Sequence, residues 1–203
     1  MSTPYYHLVP KGWRENIAYR MKVLKLAAES ESARDDLWIA CHRDILFYVN
    51  TFAYTFDPRL VGDGESTIVP FITYPFQDDL LLELNQAIGH HDVVVKKSRD
   101  MGVSWCTLAV QLWRAHFMRK QAFLDVSRNE DYVEKPGDSK SLFWKLDFLL
   151  EHEPGWLRGS WTRTRLHLEC DNTGSTIDGE STTGDVAKGA RLTAIFLDEF
   201  SAF

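Results

Sequence analysis

The alternation of short apolar runs with longer amphipathic stretches, from residue 74 onward, most constrains the fold of this chain. The apolar runs are DVVVK (92–96), AFLDV (122–126), RLHLEC (165–170) and TAIFLDEF (193–200). The stretches with helical spacing of apolar residues are 74–88, 104–117 and 139–152. Short apolar runs without alternation are typical of buried parallel strands, whereas 165–170 alternates as a half-exposed strand does. The pattern therefore predicts an α/β fold with a mostly parallel sheet flanked by helices.

The first part of the chain has a different, helical pattern. Residues 12–28 predict an amphipathic helix, and a second helical pattern follows after the polar stretch ESESARDD. The predicted buried faces are Ile17, Met21, Leu24 and Ala27 in the first helix, and Leu37, Cys41, Ile45 and Val49 in the second. Residues 55–67 contain Pro and Gly and predict a loop. We therefore predict a helical N-terminal segment over 1–58 and the main domain over 59–203.

Composition excludes several classes of protein. The 203 residues are 44% hydrophobic and 26% charged, as in ordinary globular domains. The net charge of −6 does not favour a surface dedicated to nucleic acid, but it does not exclude a local basic patch. The three cysteines, Cys41, Cys106 and Cys170, are widely separated and odd in number, which indicates a reducing compartment. The adjacent His90 and His91 do not predict a metal site. Because no signal peptide or membrane-spanning run is evident, we expect a cytosolic protein.

The stretch VVVKKSRDMGVSW (93–105) has the outline of a phosphate-binding loop. A strand–loop–helix junction presents backbone N–H groups and the positive end of a helix dipole to an anion. The usual fingerprint ends in Gly-Lys-Ser/Thr, but Val103 stands where the lysine is expected, before Ser104. Lys97 lies at the start of the loop and could reach the β- and γ-phosphates from the opposite rim, with Arg99 as a second cation. The alternative is a solvated polar turn.

Two further motifs match ATP chemistry. Asp198 and Glu199 end a predicted strand, where an aspartate can position magnesium and a glutamate can polarise the attacking water. The alternative is a strand end with two solvated acids. Gln77, in YPFQDD, lies about twenty residues before the loop and could read an adenine edge with its amide. The alternative is a glutamine at a helix N-terminus.

Taken together, these motifs resemble the N-terminal ATPase domain of the large terminase subunit of tailed bacteriophages. The resemblance covers roughly residues 35–203. It rests on CHRDILFYVNTFAYTFDPR, YPFQ, KKSRDMGVSW, VSRNEDYV and STIDGESTTGDVAKGARLTAIFLDEF. The family hydrolyses ATP to drive double-stranded DNA into preformed capsids, and some members carry the loop lysine at the start of the loop. The resemblance therefore implies a P-loop NTPase-type fold and an ATP hydrolase.

The resemblance also implies roles for individual residues. Lys97 matches the displaced loop lysine, and Ser104 and Asp198 match the residues on the magnesium side of the site. Glu199 matches the catalytic acid, and Arg99 matches the loop arginine, which serves both binding and catalysis. The implied ATP-binding set is Gln77, Lys97, Ser98, Arg99, Asp100, Met101, Gly102, Val103, Ser104 and Arg191. At Arg191 the chain departs from the family, because it reads Gly-Ala-Arg where a glycine pair before the arginine is expected.

The resemblance implies ATP and Mg²⁺ as cofactors. It also implies double-stranded DNA, a portal protein, a small terminase subunit and a homo-oligomeric ring as partners. The site of action would be the host bacterial cytoplasm, transiently at the procapsid portal. Family members continue beyond the Asp-Glu strand into a coupling motif, further strands and a nuclease domain. We therefore expect a truncated ATPase domain, whose sheet either has a gap between the Asp-Glu strand and the loop strand or pairs these two strands differently.

Two other functions remain open at this point. A truncated chain could be a non-catalytic remnant that acts at most as a protein-binding module. Another P-loop ATPase, such as a helicase-like enzyme, is the second alternative, but it would have a lysine where Val103 stands. Trp105, beside the loop, is expected to pack in the core.

Overall fold

The computed structural model of the chain describes residues 3–63, 66–182 and 191–199, and these contain eight α-helices and seven β-strands. The helices are α1 (Trp13–Glu29), α2 (Glu31–Arg43), α3 (Ile45–Phe52), α4 (Pro75–Ala87), α5 (Val103–Phe117), α6 (Glu130–Val133), α7 (Leu142–Glu151) and α8 (Gly155–Arg158). The strands are β1 (Tyr54–Phe56), β2 (Ile68–Pro70), β3 (Ala122–Ser127), β4 (Trp161–Thr164), β5 (His167–Cys170), β6 (Ser175–Ser181) and β7 (Ala194–Leu197). The protein is thus an α/β protein, as predicted.

The chain forms two compact units. The first comprises Met1–Leu82 and Phe148–Arg158, and the second comprises Glu83–Asp147 and Gly159–Phe203. The division predicted from the sequence, at residues 58 and 59, stays a prediction.

The first unit is built around α3, all of whose residues are buried. The expected continuous helical pattern over 37–49 is wrong, because the chain leaves the helical conformation at Asp44, with φ of −146°. Asp44 ends α2 and begins α3, and its carboxylate accepts a hydrogen bond from the Phe47 N–H at 3.0 Å. This cap satisfies a backbone donor that the first turn of α3 leaves without a partner.

The buried face of α1 also differs from the prediction. Its buried residues are Asn16, Arg20, Val23 and Ala27, whereas Met21 is 66% exposed and Leu24 is 36% exposed. The Arg20 guanidinium donates to the carbonyl oxygens of Asn50 at 2.8 Å and Ala53 at 3.0 Å, at the C-terminal end of α3. The last carbonyls of a helix lack partners within the helix. A buried arginine on α1 is therefore stabilised by α3, and the apolar stripe lies partly outside the core.

The predicted loop over 55–67 contains part of a small hairpin. Strands β1 and β2 pair antiparallel, with Thr55 opposite Val69, and a 3₁₀ helix, Pro58–Asp63, lies between them. The Pro and Gly residues mark the connection correctly, but the prediction missed the strands on either side. Each strand has only three residues, which is too short for a periodic pattern.

The second unit contains a five-stranded sheet in the order β4-β5-β6-β3-β7. Strand β3 pairs parallel with β6 and with β7, whereas β4–β5 and β5–β6 are antiparallel. The sheet is therefore mixed, and the prediction of a mostly parallel sheet is corrected. Short connections between β4, β5 and β6 allow only hairpins, because a parallel crossover needs a dozen or more residues. The predicted strand 165–170 corresponds to β5, which begins two residues later than predicted, because Arg165 and Leu166 form the turn between β4 and β5.

Helices flank this sheet. Helix α5 is joined to β3 by a hydrogen bond from Gln111 Nε2 to Asp125 Oδ1 at 2.8 Å. Near β6, a Cβ at Gly179 would lie 2.6 Å from Val133 of α6 and 2.7 Å from Phe143 of α7. Only glycine therefore allows α6 and α7 to approach β6 this closely. The predicted helices at 104–117 and 139–152 and the predicted strand at 122–126 are confirmed within a few residues.

The prediction of a buried strand at 92–96 is wrong. These residues belong to no strand, and Val94 is 85% exposed. Among the described residues the sheet ends at β7, so the valine run has no strand to pair with. Strand β7 is correctly located but is not buried, since Ile195 is 46% exposed and Leu197 is 38% exposed. Both expected arrangements, a gap in the sheet or a different pairing of the two strands, assumed a loop strand, and residues 92–96 form none.

Candidate functional site

The candidate loop, residues 97–104, ends in a left-handed turn at the start of α5. Gly102 precedes the helix with φ of 72° and ψ of 15°, a conformation that glycine adopts without steric strain. Asp100 is also left-handed, with φ of 61°. The backbone N–H groups at the start of α5 directly follow Gly102. These groups and the positive end of the helix dipole favour the binding of an anion. The loop side chains fall into two groups, because residues 97–100 are exposed and residues 101–104 are half-buried.

Ser104 and Asp198 are in contact although 94 residues separate them in the chain. The Ser104 hydroxyl, in the first turn of α5, donates to Asp198 Oδ1 at 3.1 Å. Asp198 directly follows β7, and its N–H donates to the Val126 carbonyl at 2.9 Å, which continues the parallel ladder with β3. The hydrogen bond between Ser104 Oγ and Asp198 Oδ1 thus connects the start of α5 to the end of β7. A hydroxyl and a carboxylate are ligands that suit Mg²⁺ when phosphate and water oxygens complete its coordination.

Opposing effects act on the pKa of the Asp198 carboxyl group. Burial raises its pKa above the ordinary value, and the neighbouring Glu199 raises it further. The Ser104 hydrogen bond, and the positive charges of Lys145 and Lys97, lower this pKa. Lys97, which the sequence predicted, therefore acts electrostatically on Asp198. The net upward shift of the pKa means that the neighbouring groups do not fully offset the cost of burying the charged carboxylate. A cation bound beside Asp198 would therefore stabilise its ionised form.

Lys145 is a basic residue near Asp198 that sequence reasoning missed. It lies on α7, and burial lowers its pKa to about 8, against the opposing charges of Asp198 and Asp138. Its Nζ donates to the carbonyl oxygens of Lys140 at 2.6 Å and Ser141 at 3.3 Å. A lysine inside the apolar run LFWKLDFLL was the available signal.

Asp125 is a second missed residue, on β3, an interior strand of the sheet. It is fully buried on β3, and burial raises its pKa to about 7, with smaller upward contributions from Asp198 and Asp178. Gln111 donates to its Oδ1, while Oδ2 and the Ser127 hydroxyl have no hydrogen-bond partner among the described residues. An aspartate within the apolar run AFLDVS could have been noticed as a buried polar group that needs a reason.

Glu199, the predicted catalytic acid, has a strained backbone. Its φ is 57°, in the left-handed region that glutamate rarely adopts. Its Oε2 lies 3.5 Å from Nε of Arg128, the residue that directly follows β3. The Arg128 guanidinium also lies over the ring of Tyr132, 4.1 Å from the centroid. Arg128 lies within VSRNEDYV, one of the stretches that carry the resemblance, but the sequence predicted no role for it.

Gln77 belongs to the first unit and lies at the start of α4. Its side-chain oxygen accepts a hydrogen bond from the Tyr74 N–H at 3.0 Å, just before the helix begins at Pro75. A side chain that reaches back to the residue before a helix stabilises the helix start. The Gln77 oxygen therefore has a structural role, which matches the alternative given above, and its adenine contact stays a prediction.

The remaining predicted residues are surface groups. Ser98, Arg99 and Arg191 are exposed, and Arg191 lies three residues before β7. Residues 188–190, which precede Arg191 in the expected motif, lie outside the described part of the chain. Trp105 is half-buried in the first turn of α5.

Comparisons with known proteins identify no family. No family model matches the chain, and no curated protein matches it. Within the described residues, no group of three or more His, Cys, Asp or Glu side chains could hold a metal ion by itself. The helices in the described part of the chain include none that is long and apolar enough to cross a membrane.

Proposed function

We propose that the chain binds and hydrolyses ATP with Mg²⁺, as the ATPase domain of a phage DNA-packaging motor of the large terminase type. The observation that carries the proposal is the hydrogen bond between Ser104, at the start of α5, and Asp198, at the end of β7. If the loop were only a solvated turn and β7 only ended in two solvated acids, contact between Ser104 and Asp198 would not be required. In a nucleotide site Ser104 and Asp198 would both hold the same Mg²⁺ beside the phosphates, so the two side chains have to lie together.

In this proposal the loop and the first turn of α5 hold the phosphates. Backbone N–H groups after Gly102 face the anion, and Lys97 and Arg99 contribute the positive charge that Val103 cannot. Ser104 and Asp198 hold Mg²⁺, which when bound neutralises charge that develops on the phosphate oxygens. The exposure of Lys97 and Arg99 leaves both side chains able to fold over a ligand.

Glu199 would act as the general base. One proton of the attacking water passes to the Glu199 carboxylate while the water oxygen bonds to the γ-phosphorus. The bond between this phosphorus and the bridging oxygen breaks, and its electrons remain on ADP. Positioned general bases typically accelerate such steps by about 10²- to 10⁴-fold.

The resemblance extends the proposal to the biological process. In it, ATP hydrolysis moves double-stranded DNA into a procapsid, with a portal protein, a small terminase subunit and further copies of the motor as partners. The site of action is the cytoplasm of the bacterial host. An assembled ring supplies the organisation for this work, so a single protomer is expected to hydrolyse ATP slowly.

A second candidate, a protein-binding module without catalysis, is favoured by the open edge of the sheet. Strand β7 carries exposed Ile195 and Leu197 and has no neighbour on its outer side among the described residues. Exposed apolar edge strands are templates for strand addition by another chain. This candidate predicts no response to nucleotide.

Thermal unfolding of the purified chain with and without Mg-ATP distinguishes the two candidates. A ligand that binds only the folded protein raises Tm by mass action, and at about 100 times its Kd it adds about 2.7 kcal/mol to the free energy of unfolding. We expect a rise in the unaltered chain that disappears in Lys97→Ala. Lys96→Ala is the matched control and should keep the rise. An unaltered chain that unfolds cooperatively without any Mg-ATP effect would disprove the nucleotide site.

A further inference from the structure

The ion pair between Arg128 and Glu199 joins the ends of two neighbouring parallel strands. Arg128 follows β3 and Glu199 lies two residues after β7, and the N–H of Asp198 bonds to the carbonyl of Val126. The backbone ladder therefore holds both residues at the same edge of the sheet. Their side chains meet at 3.5 Å, from Nε to Oε2.

Arg128 is held in place from several directions. The Thr182 hydroxyl donates to its carbonyl oxygen at 3.1 Å, and the Tyr132 ring lies under its guanidinium. Its Nη2 also donates to the Tyr132 hydroxyl. Tyr132 in turn lies on α6, which begins at the Asn129 cap. An arginine that stacks on an aromatic ring keeps its fork-like donors oriented, so it can restrain a carboxylate as well as attract it.

Glu199, by contrast, is held at a strained position. A glutamate at φ of 57° persists only where its surroundings impose this conformation. The ladder bond of Asp198 fixes the residue before it, and Arg128 fixes its side chain. Loss of the ion pair would therefore give the carboxylate freedom to turn.

We propose that Arg128 is a positioning residue that restrains Glu199, and that their ion pair must open before the carboxylate accepts a proton from the attacking water. The proposal rests on the proposed function, since it concerns the regulation of the same site. Movement of the Glu199 or the Arg128 side chain has to open the pair.

The expected effect is modest because the pair is exposed. The side chain of Arg128 is 42% exposed and that of Glu199 is 52% exposed. Ion pairs of this kind are weak, so opening one slows the reaction by at most about fivefold. We therefore expect Arg128→Gln to raise kcat for ATP hydrolysis by up to about fivefold and to leave KM within about twofold.

Two further variants and a control separate the contacts of Arg128. Arg128→Lys keeps the charge but loses the fork, and it should give an intermediate kcat. Tyr132→Phe keeps the ring and removes the hydroxyl, and it should give a smaller rise in the same direction. Arg165→Gln is the matched control, because Arg165 is an exposed arginine paired with Glu130 of the same helix α6, and it should leave kcat and KM unchanged.

Ionic strength provides a readout that a merely structural role would not change. Salt screens exposed ion pairs, with a Debye length of about 10 Å at 0.1 M and about 3 Å at 1 M. The ratio of kcat between Arg128→Gln and the unaltered chain should therefore fall toward one as salt rises. The ratio for Arg165→Gln should stay near one throughout.

The outcomes distinguish the restraint from the proposed function. A lower kcat in Arg128→Gln, a raised KM with unchanged kcat, or no change would overturn the restraint while the ATPase stands. A kcat that rises in Arg128→Gln, rises less in Arg128→Lys and stays unchanged in Arg165→Gln would support the restraint. Absence of both Mg-ATP binding and hydrolysis in every variant would overturn the proposed function, and the restraint with it.

Discussion

The two halves of the candidate loop region are built differently. Residues 92–100 are mostly exposed and lie in no strand, whereas α5 starts at Val103 and buries most of its residues from Cys106 onward. The second half is therefore positioned by packing before any ligand arrives, and it places Ser104 beside Asp198. The first half, with Lys97 and Arg99, has no comparable support. The oxygen ligands of the proposed site are therefore preorganised, whereas its cations depend on the ligand for their position.

The largest expected effect is on the free energy of unfolding, which should depend on buried residues of α5 and not on the exposed residues 92–100. Leu108 on α5 is fully buried, so Leu108→Ala should lower the free energy of unfolding by roughly 2–5 kcal/mol, from lost burial and the cavity left behind. Val94→Ala, in the exposed half, should change it by at most about 0.5 kcal/mol. Urea denaturation at constant pH measures both. Equal losses would show that the valine run is buried in solution.

Removal of the proposed base after β7 should abolish ATP hydrolysis without loss of ATP binding. In Glu199→Gln the shape of the side chain is kept but the base is removed, so ATP hydrolysis should fall by about 100-fold or more. The rise of Tm with Mg-ATP should remain. Steady-state kinetics and thermal unfolding of the same preparation check both parts. A loss of binding together with hydrolysis would mean that Glu199 has a structural role at its strained turn.

The buried acids should give the protein a characteristic pH dependence. Burial raises the pKa of Asp125 to about 7, and it raises the pKa of Glu153, in the other unit, to about 7 as well. The folded state then binds more protons than the unfolded state between the ordinary pKa and about 7. The stabilisation is thus fully present below the unfolded pKa near 4 and is lost as pH rises toward 7, by at most about 1.4 kcal/mol per pH unit for each acid.

Asp125→Asn and Glu153→Gln should each remove one share of this slope. Denaturation at intervals from pH 4 to pH 8 measures it, and the double variant should lose both contributions to the slope. The amide oxygen that Asp125→Asn introduces can still accept the hydrogen bond from Gln111, so this variant is expected to fold. An unchanged slope in Asp125→Asn would show that the pKa of this carboxyl is not raised in the folded protein.

The smallest expected effect concerns the bond that carries the proposed function. Ser104→Ala removes the hydroxyl that donates to Asp198, and it should lower the free energy of unfolding by about 1 kcal/mol. The magnesium dependence of ATP binding should weaken at the same time. Ser104→Thr keeps the hydroxyl and should preserve the magnesium dependence. If Ser104→Ala binds Mg-ATP as the unaltered chain does, Ser104 does not hold the metal.

The sequence by itself determined the elements whose signal is local. Helix α5, helix α7 and strand β3 were predicted within a few residues, because periodicity and runs of apolar residues reflect local geometry. The candidate residues Ser104 and Asp198 were also proposed from the sequence. That they meet was an expectation from the motif, and the hydrogen bond between them is a property of the folded chain.

Only the tertiary structure decided which partners each element has. The apolar run at 92–96 has strand character but lacks a neighbouring strand among the described residues, and a strand without a neighbour cannot satisfy its backbone groups. Helix α1 buries Arg20 instead of Met21 because carbonyls at the end of α3, which lack partners within that helix, accept hydrogen bonds from the guanidinium. Arg128 meets Glu199 because β3 and β7 are neighbours in the sheet, although the two residues are far apart in the sequence. Hydrogen bonds and ion pairs between distant segments leave no periodic signal in a sequence, and this is the physical reason that they had to be found in the fold.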